Sequence, residues 1–143
     1  MLNRRRILIE IPEKDLFNEF GWFRQGMGEC AIRTYLIKHP HIIEQGLSLN
    51  DFLGFSIWFK STQEADMVFR REGIYYIIET KQKGKYYRGW EYLRKTVECF
   101  EAEMKDRKEE IQEIVAVLAT SSEAVEKLSV QSLKWFSETS QTS

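Results

Sequence analysis

The alternation of apolar and polar positions along the chain predicts a series of helices and strands. Apolar residues recur at steps of three and four in the stretches 15–39 and 90–110, as they do on one face of a helix. Runs of β-branched and aromatic residues, typical of buried strands, occupy 52–59, 74–78 and 111–119. The pattern therefore predicts an α/β protein with a central β-sheet flanked by helices.

The first helical stretch divides into two helices at a glycine-containing join around residues 21–28. The apolar stripe of its first helix consists of Leu16, Phe17, Phe20 and Phe23. Its second helix spans 29–38 and ends before Pro40, which cannot continue a helix. The predicted buried residues of this second helix are Ile32, Tyr35 and Leu36.

The strand at 52–59 is predicted to be the first central strand, and a β-hairpin follows it. The polar break Arg70-Arg71-Glu72-Gly73 separates the apolar runs 67–69 and 74–78 of this hairpin. The next helix has an apolar face formed by Trp90, Leu93, Val97, Phe100 and Met104. Because this helix connects two strands, we expect the strand at 111–119 to lie parallel to the second hairpin strand, which makes the sheet mixed.

Further elements are predicted towards the two ends of the sequence. Residues 1–11 combine a basic tip, Arg4-Arg5-Arg6, with an Ile-Leu-Ile run, which predicts a short edge strand or a dimer arm. Ser121 or Ser122 caps a predicted last helix, whose inward residues are Val125, Leu128, Leu133 and Phe136. We predict one domain over 1–143, with 1–27 as an N-terminal extension and 138–143 as a flexible tail.

Composition narrows the class of protein. The 143 residues are 43% hydrophobic and 30% charged, as in a globular domain, and their net charge of −1 gives no general attraction to nucleic acid. No apolar run has the length of a membrane span or of a secretory signal, so we expect a cytoplasmic protein. Cys30 and Cys99 form no CxxC pair and are predicted to be buried free thiols.

Two acids and a lysine converge at one end of the predicted hairpin. Glu79 and Lys81 are two positions apart on one strand and so share a face, while Asp66 begins the neighbouring strand. Two carboxylates this close repel each other unless a cation lies between them. A hard divalent ion with oxygen ligands, Mg²⁺ or Mn²⁺, would remove this conflict, and the lysine would orient a water.

This arrangement, Asp66 followed by Glu79-Thr80-Lys81, resembles the PD-(D/E)XK nuclease superfamily, although Ala65 stands where that family often has proline. The predicted order of helix, strand, hairpin, helix, strand and helix over 28–133 is also similar to the core of that restriction-endonuclease-like fold. The resemblance implies that Asp66 and Glu79 bind the metal, with the Thr80 carbonyl as a further ligand. It also implies that Lys81 positions or activates the attacking water.

The resemblance also implies a glutamate on the first core helix. Many members of the superfamily have one that reaches the metal, and the Gly28-Glu29 opening is similar to that of archaeal Holliday-junction resolvases. We prefer Glu29 for this role, with Glu19 as the competitor. Glu64, two residues before Asp66, is a candidate auxiliary ligand. His39-Pro40-His41 is interpreted as a solvated helix exit, because no carboxylate or cysteine partner accompanies it in the sequence.

A locally basic segment follows the hairpin. Between residues 69 and 95 there are eight basic and three acidic residues, so the local charge is +5. Tyrosines interleave with these cations, a combination suited to phosphate contacts and to stacking on unpaired bases. Lys83, Lys85 and Arg88 are the predicted nucleic-acid contacts.

The sequence therefore predicts a small Mg²⁺-dependent nuclease that acts on DNA. A structure-selective resolvase would need a homodimer, whose interface the N-terminal arm could supply. Two alternatives remain open. One is a nuclease fold that no longer cuts and serves as a nucleic-acid-binding or assembly subunit. The other is a different α/β protein with a protein or small-molecule partner.

Overall fold

Six strands and three α-helices make up the described part of the chain. The computed structural model describes residues 2–21, 28–82, 86–121 and 137–142. The elements are β1 (Asn3–Ile11), α1 (Glu13–Glu19), α2 (Gly28–Lys38), β2 (Phe52–Phe59), β3 (Gln63–Arg71), β4 (Ile74–Thr80), α3 (Tyr86–Asp106), β5 (Glu113–Ser121) and β6 (Ser137–Thr142). Two short 3₁₀ turns, Pro40–Ile42 and Leu49–Asp51, lie between α2 and β2. The predicted α/β class is confirmed.

The strands form one mixed sheet in the order β2-β3-β4-β5-β1-β6. β2, β3 and β4 pair antiparallel, as a meander. β4 and β5, which α3 connects, pair parallel, and β1 pairs parallel with both β5 and β6. The parallel pairing that the sequence predicted across the crossover helix is therefore confirmed.

Helices cover both faces of the sheet, so the strands at its centre are buried on both sides. Along β4, Tyr76 and Ile78 join the cluster under α1 and α2, whereas Tyr75 and Ile77 join the cluster under α3. The predicted faces of the helices are largely correct. Ile32 and Leu36 of α2 are fully buried, and so are all five apolar residues predicted for α3. No helix in the described ranges is both long enough and apolar enough to cross a membrane.

Two predictions about individual positions were wrong. Phe17 is 57% exposed, because α1 ends at Glu19 and a helix this short buries only Leu16. The strand at 52–59 has the predicted bounds, but it lies at an edge of the sheet instead of its centre. The predictions for Phe23 and for the last helix lie outside the described residues.

The N-terminal strand was also predicted wrongly, since β1 is neither an edge strand nor a free dimer arm. It lies between β5 and β6, and its Ile7 and Ile9 are fully buried. A continuous apolar run is what a strand buried on both faces of a parallel sheet requires. The prediction of a flexible tail at 138–143 was wrong as well, because residues 137–142 form β6.

The three arginines of β1 serve the fold. Arg4 makes a bidentate ion pair with Glu101 of α3, and the Arg6 guanidinium is buried 4.5 Å from the centre of the Trp90 ring. Arg5 pairs with Glu44, at 2.6 Å, and with Glu113. The basic tip is therefore used to attach β1 to its neighbours.

The start of α3 approaches the sheet closely at Gly89. A Cβ atom at this position would lie 2.6 Å from Leu118 Cδ1 and 2.8 Å from Lys81 Cγ. Both distances are too short for carbon atoms in contact, so only glycine allows α3 to lie this near the ends of β4 and β5.

We predict that Gly89→Ala destabilises the protein by about 1–3 kcal/mol through overpacking. Helix propensity alone would give the opposite sign, since alanine in a helix is favoured over glycine by up to about 1 kcal/mol. Urea denaturation measures the change. Gly28→Ala is the matched control, because its Cβ would be 3.9 Å from Gln82 Cγ, an ordinary contact. Equal effects of the two substitutions would contradict the prediction.

Candidate active site at the end of the hairpin

The register of the β3–β4 hairpin places Asp66 and Glu79 side by side. The hairpin closes through Glu72 and Gly73, both with positive φ, as a two-residue turn requires. Its pairing runs from Arg71 opposite Ile74 to Met67 opposite Ile78, and Asp66 and Glu79 are the next residues on each strand. β3 itself begins three residues before Asp66, so the acid lies within the strand and not at its first residue.

Asp66 is held by Thr80. The backbone N–H and the hydroxyl of Thr80 both donate hydrogen bonds to Asp66 Oδ2, each at 2.8 Å. Thr80 is fully buried, so these bonds are shielded from water. Hydrogen bonds to a charged acceptor are among the stronger ones in proteins, and they fix the orientation of the carboxylate.

Glu79 is a buried carboxyl group with an incomplete set of partners. It is 4% exposed, and its Oε2 lies 3.3 Å from Lys81 Nζ. Its Oε1 is buried and has no hydrogen-bond partner among the described residues. Burial raises the pKa of Glu79 to about 9, and the negative charge of Asp66 adds to the effect, while Lys81 opposes it.

Lys81 lies between β5 and α3. Its N–H donates to the carbonyl of Ala119 at 3.0 Å, and its ammonium is 5.8 Å from the centre of the Tyr92 ring. The close approach at Gly89 encloses its aliphatic stem. The structure therefore brings Asp66, Glu79 and Lys81 together.

Arg33 of α2 is a second cation at the site, and sequence reasoning missed it. Its Nη1 lies 3.4 Å from Thr80 Oγ1, the same hydroxyl that bonds to Asp66. No motif marks this arginine. The available signal was its position four residues after Glu29, because residues four apart share one face of a helix.

A cavity of about 470 Å³ adjoins Asp66 on the α2 side. Its lining comes from α2 (Cys30, Arg33, Thr34), β2 (Phe55, Ser56) and β3 (Glu64, Asp66). Cys30 is exposed here, so its predicted burial was wrong; it belongs to the face of α2 turned to the cavity and not to the core. Glu64, which precedes Asp66 by two residues on the same strand, lines the cavity together with it.

The two candidate helix glutamates lie in different surroundings. Glu19 accepts from His39 Nε2, which is 2.8 Å from both of its carboxylate oxygens. The expectation that the His39 segment has no carboxylate partner was therefore wrong, because the partner comes from α1, twenty residues earlier. Glu29 lies half-buried in the first turn of α2, one turn before Arg33.

The predicted nucleic-acid contacts are described only in part. Arg88 is exposed in the first turn of α3, close in sequence to Gly89. Lys83 and Lys85 lie outside the described residues.

Asp66 and Glu79 fit a hard divalent cation. Glu79 lies beside Asp66, and among the described residues one of its buried oxygens has no hydrogen-bond partner, so a cation between the two carboxylates would lower their repulsion. Carboxylate and carbonyl oxygens are the ligands that Mg²⁺ and Mn²⁺ prefer. Among the residues that the structure describes, no group of three or more His, Cys, Asp and Glu side chains is placed to hold a metal ion. Side-chain ligands at this site would therefore be the two acids.

Comparison with protein-family models, with curated proteins and with solved structures found no match to this chain.

The raised pKa of Glu79 predicts a specific dependence of stability on pH. Between its ordinary value of 4.5 and about 9, the folded state binds a proton that the unfolded state has lost. The free energy of unfolding in EDTA should therefore fall as pH rises through this window, by up to about 1.4 kcal/mol per pH unit. Urea denaturation at pH 5, 6, 7 and 8 measures the slope.

The control for this measurement is Glu79→Gln, which keeps the shape of the side chain and cannot ionise. This variant should lose the slope and be more stable than the wild type at pH 8. Parallel stability curves for the two proteins would contradict a neutral, buried Glu79.

Proposed function

We propose that this protein is a Mg²⁺- or Mn²⁺-dependent nuclease of the PD-(D/E)XK type that hydrolyses phosphodiester bonds in DNA. The observation that carries the proposal is the buried carboxyl group of Glu79, which lies beside Asp66 and next to the ammonium of Lys81 and has one oxygen without a hydrogen-bond partner among the described residues. A fold that only needed stability would not bury a second acid here, because the cost of desolvating a carboxyl group is high. A binding site for a cation accounts for that cost.

The order of elements supports the proposal. α2, β2, the β3–β4 hairpin, α3 and β5 follow one another as in the core of the proposed superfamily, with the Asp and Glu-x-Lys residues on the hairpin. The sheet also has the mixed pairing that a hairpin followed by a crossover helix produces. This likeness of order supports the proposal of a restriction-endonuclease-like fold.

Asp66 and Glu79 would hold the ion through their carboxylate oxygens, with the Thr80 carbonyl as a further ligand. Glu29 would assist from α2, directly or through water, because it lies on the same face as Arg33, whose guanidinium contacts Thr80. The bound ion would polarise the scissile phosphate and stabilise the charge that develops on it.

Lys81 would act on the attacking water. Its ammonium is 3.3 Å from Glu79 Oε2, so a water beside the metal ligands lies within its reach. The ammonium orients this water by hydrogen bonding, and its positive charge favours the loss of a proton from it. Arg88, together with Lys83 and Lys85, would contact the DNA backbone.

The alternative is a nuclease fold that binds nucleic acid without cutting it. One observation favours it: the converging acids in the described residues are two, and Asp66 Oδ2 already accepts two hydrogen bonds from Thr80. In that case Glu79 would keep its proton, no metal would bind, and the contacts among these residues would serve only to hold the fold together.

Isosteric substitutions separate the two functions. In calorimetric titration at pH 8, we expect Mn²⁺ to bind the wild type and binding to be lost in Asp66→Asn and Glu79→Gln, since each removes an anionic ligand. Lys81→Ala should retain Mn²⁺ binding but lose cleavage of DNA by 10²-fold or more, about the size of a single acid–base or electrostatic contribution.

Glu98→Gln is the matched control, because Glu98 is an exposed acid of α3 that pairs with Arg94 in the same helix. It should bind Mn²⁺ and cleave DNA as the wild type does. Metal-dependent cleavage that survives in Glu79→Gln would overturn the proposed site. Absence of both Mn²⁺ binding and DNA cleavage in the wild type would favour the non-cutting alternative, in which Glu79 keeps its proton.

A further inference from the structure

The cavity beside Asp66 is lined by two side chains, Phe55 and Arg33, that the proposed metal site does not use. One wall carries an aromatic ring, Phe55, and another carries a cation, Arg33. Its volume of about 470 Å³ falls within the range of roughly 300–1,000 Å³ that small-molecule sites occupy. The cavity is therefore large enough to receive a compact group that is part apolar and part anionic.

Phe55 is presented to the cavity by a local distortion of β2. The pairing of β2 with β3 shifts register between Phe52 and Gly54, and Ser56 has a φ of +53°, which is unusual for a residue other than glycine. Such bulges re-aim side chains and are over-represented next to active sites.

The result is a fixed and accessible ring. Phe55 is 50% exposed, and the Phe52 ring supports it edge-on, with 4.9 Å between the ring centres. A ring braced from one side, with its other surface exposed, is suited to stacking on a planar ligand.

Arg33 is the cationic side chain in the lining of the cavity. Among the described residues its guanidinium makes one hydrogen bond, the 3.4 Å contact with the neutral Thr80 hydroxyl, and no ion pair. The carboxylates of Glu64 and Asp66 line the same cavity, and Asp66 is linked to Arg33 through the hydroxyl of Thr80. A half-buried guanidinium in this setting favours an anion, and its planar fork suits a phosphate.

We propose that this cavity binds one unstacked nucleotide of a single-stranded segment of the substrate, with Phe55 stacked on its base and Arg33 on its phosphate. The proposal rests on the proposed function, because Asp66 is one of the proposed metal ligands and also lines the cavity. It adds the substrate class, a single strand or a single-stranded end, which the acids alone do not specify.

An aromatic ring and a guanidinium in one cavity suit a single strand better than a duplex. A base in a duplex is paired and stacked, and to enter a pocket it must be flipped out at a cost of a few kcal/mol. A base in a single strand can reach Phe55 with little of this cost, and stacking on an aromatic ring is tolerant of sequence.

The test uses fluorescence anisotropy in EDTA, with a labelled twelve-nucleotide oligothymidine as the single strand and its duplex with oligoadenosine as the comparison. The wild type should bind the single strand at least tenfold more tightly than the duplex. Phe55→Ala should weaken single-strand binding at least fivefold, in line with the contribution of one stacked base. Trp58→Ala should change it less than twofold. Trp58 is the matched control, because it is a 55% exposed aromatic residue of the same strand that lies outside this cavity.

A second readout tests Arg33. Loss of one phosphate contact should reduce the slope of log K against log salt by about 0.7 in Arg33→Gln, as expected for single strands. A merely structural role would weaken binding without changing this slope.

The outcomes separate this inference from the proposed function. Loss of single-strand binding in Phe55→Ala, but not in Trp58→Ala, supports the pocket even if no substrate is cleaved. Cleavage that depends on Glu79, combined with equal binding of single strand and duplex or equal effects of the two aromatic substitutions, overturns the pocket and leaves the nuclease. Absence of measurable single-strand binding by the wild type also overturns the pocket.

Discussion

The hydrogen bonds from Thr80 to Asp66 are the contact around which this protein is built. They join β3 to β4 at the point where the regular pairing of the hairpin stops, and so fix the distance between Asp66 and Glu79. α3 can then approach from one face, through Gly89, and α2 from the other, through Arg33. If the carboxylate were free to rotate, neither the acid pair nor the cavity beside it would have a defined shape.

This arrangement is costly for the fold in the absence of a ligand. A carboxyl group that is buried beside another carboxylate keeps a proton over most of the neutral range, and Lys81 offsets only part of the repulsion. Strain of this kind persists only where the surrounding structure enforces it, and it is common at functional sites. Here the enforcing structure is the buried pairing of β4 with β5 on one side and with β3 on the other.

The sequence predicted the parts of the fold that local patterns determine. The hairpin, the apolar face of α3 and the parallel pairing of β5 follow from period and connection length, and the position of Asp66 near Glu79 follows from the hairpin register. The positions of β1 and β2 in the sheet could not be predicted in this way, since an apolar run shows that a strand is buried but not which strands cover it. Phe17 was mispredicted because an apolar stripe does not show where a short helix ends.

The residues of the candidate site that are close in sequence could be predicted from it. Those that come from distant parts of the chain could not. Asp66, Glu79 and Lys81 lie on one hairpin and form a recognisable motif. Arg33 and Phe55 reach the site from other elements, and the spacing of Arg33 from Glu29 is the one sequence signal for either of them. The pairing of His39 with Glu19 was missed for the same reason, because it joins α1 to the residue that follows α2.

The central place of β1 has a consequence for how the chain acquires its structure. β1 precedes its partner β5 by a long stretch of chain, and the ion-paired residues Arg5 and Glu113 lie 108 positions apart. Closing so long a loop is entropically unfavourable, and chains dominated by such distant pairings fold slowly. During translation, the Ile-Leu-Ile run of β1 therefore waits until β5 has been synthesised before it is covered, and in that interval it is open to association with other chains.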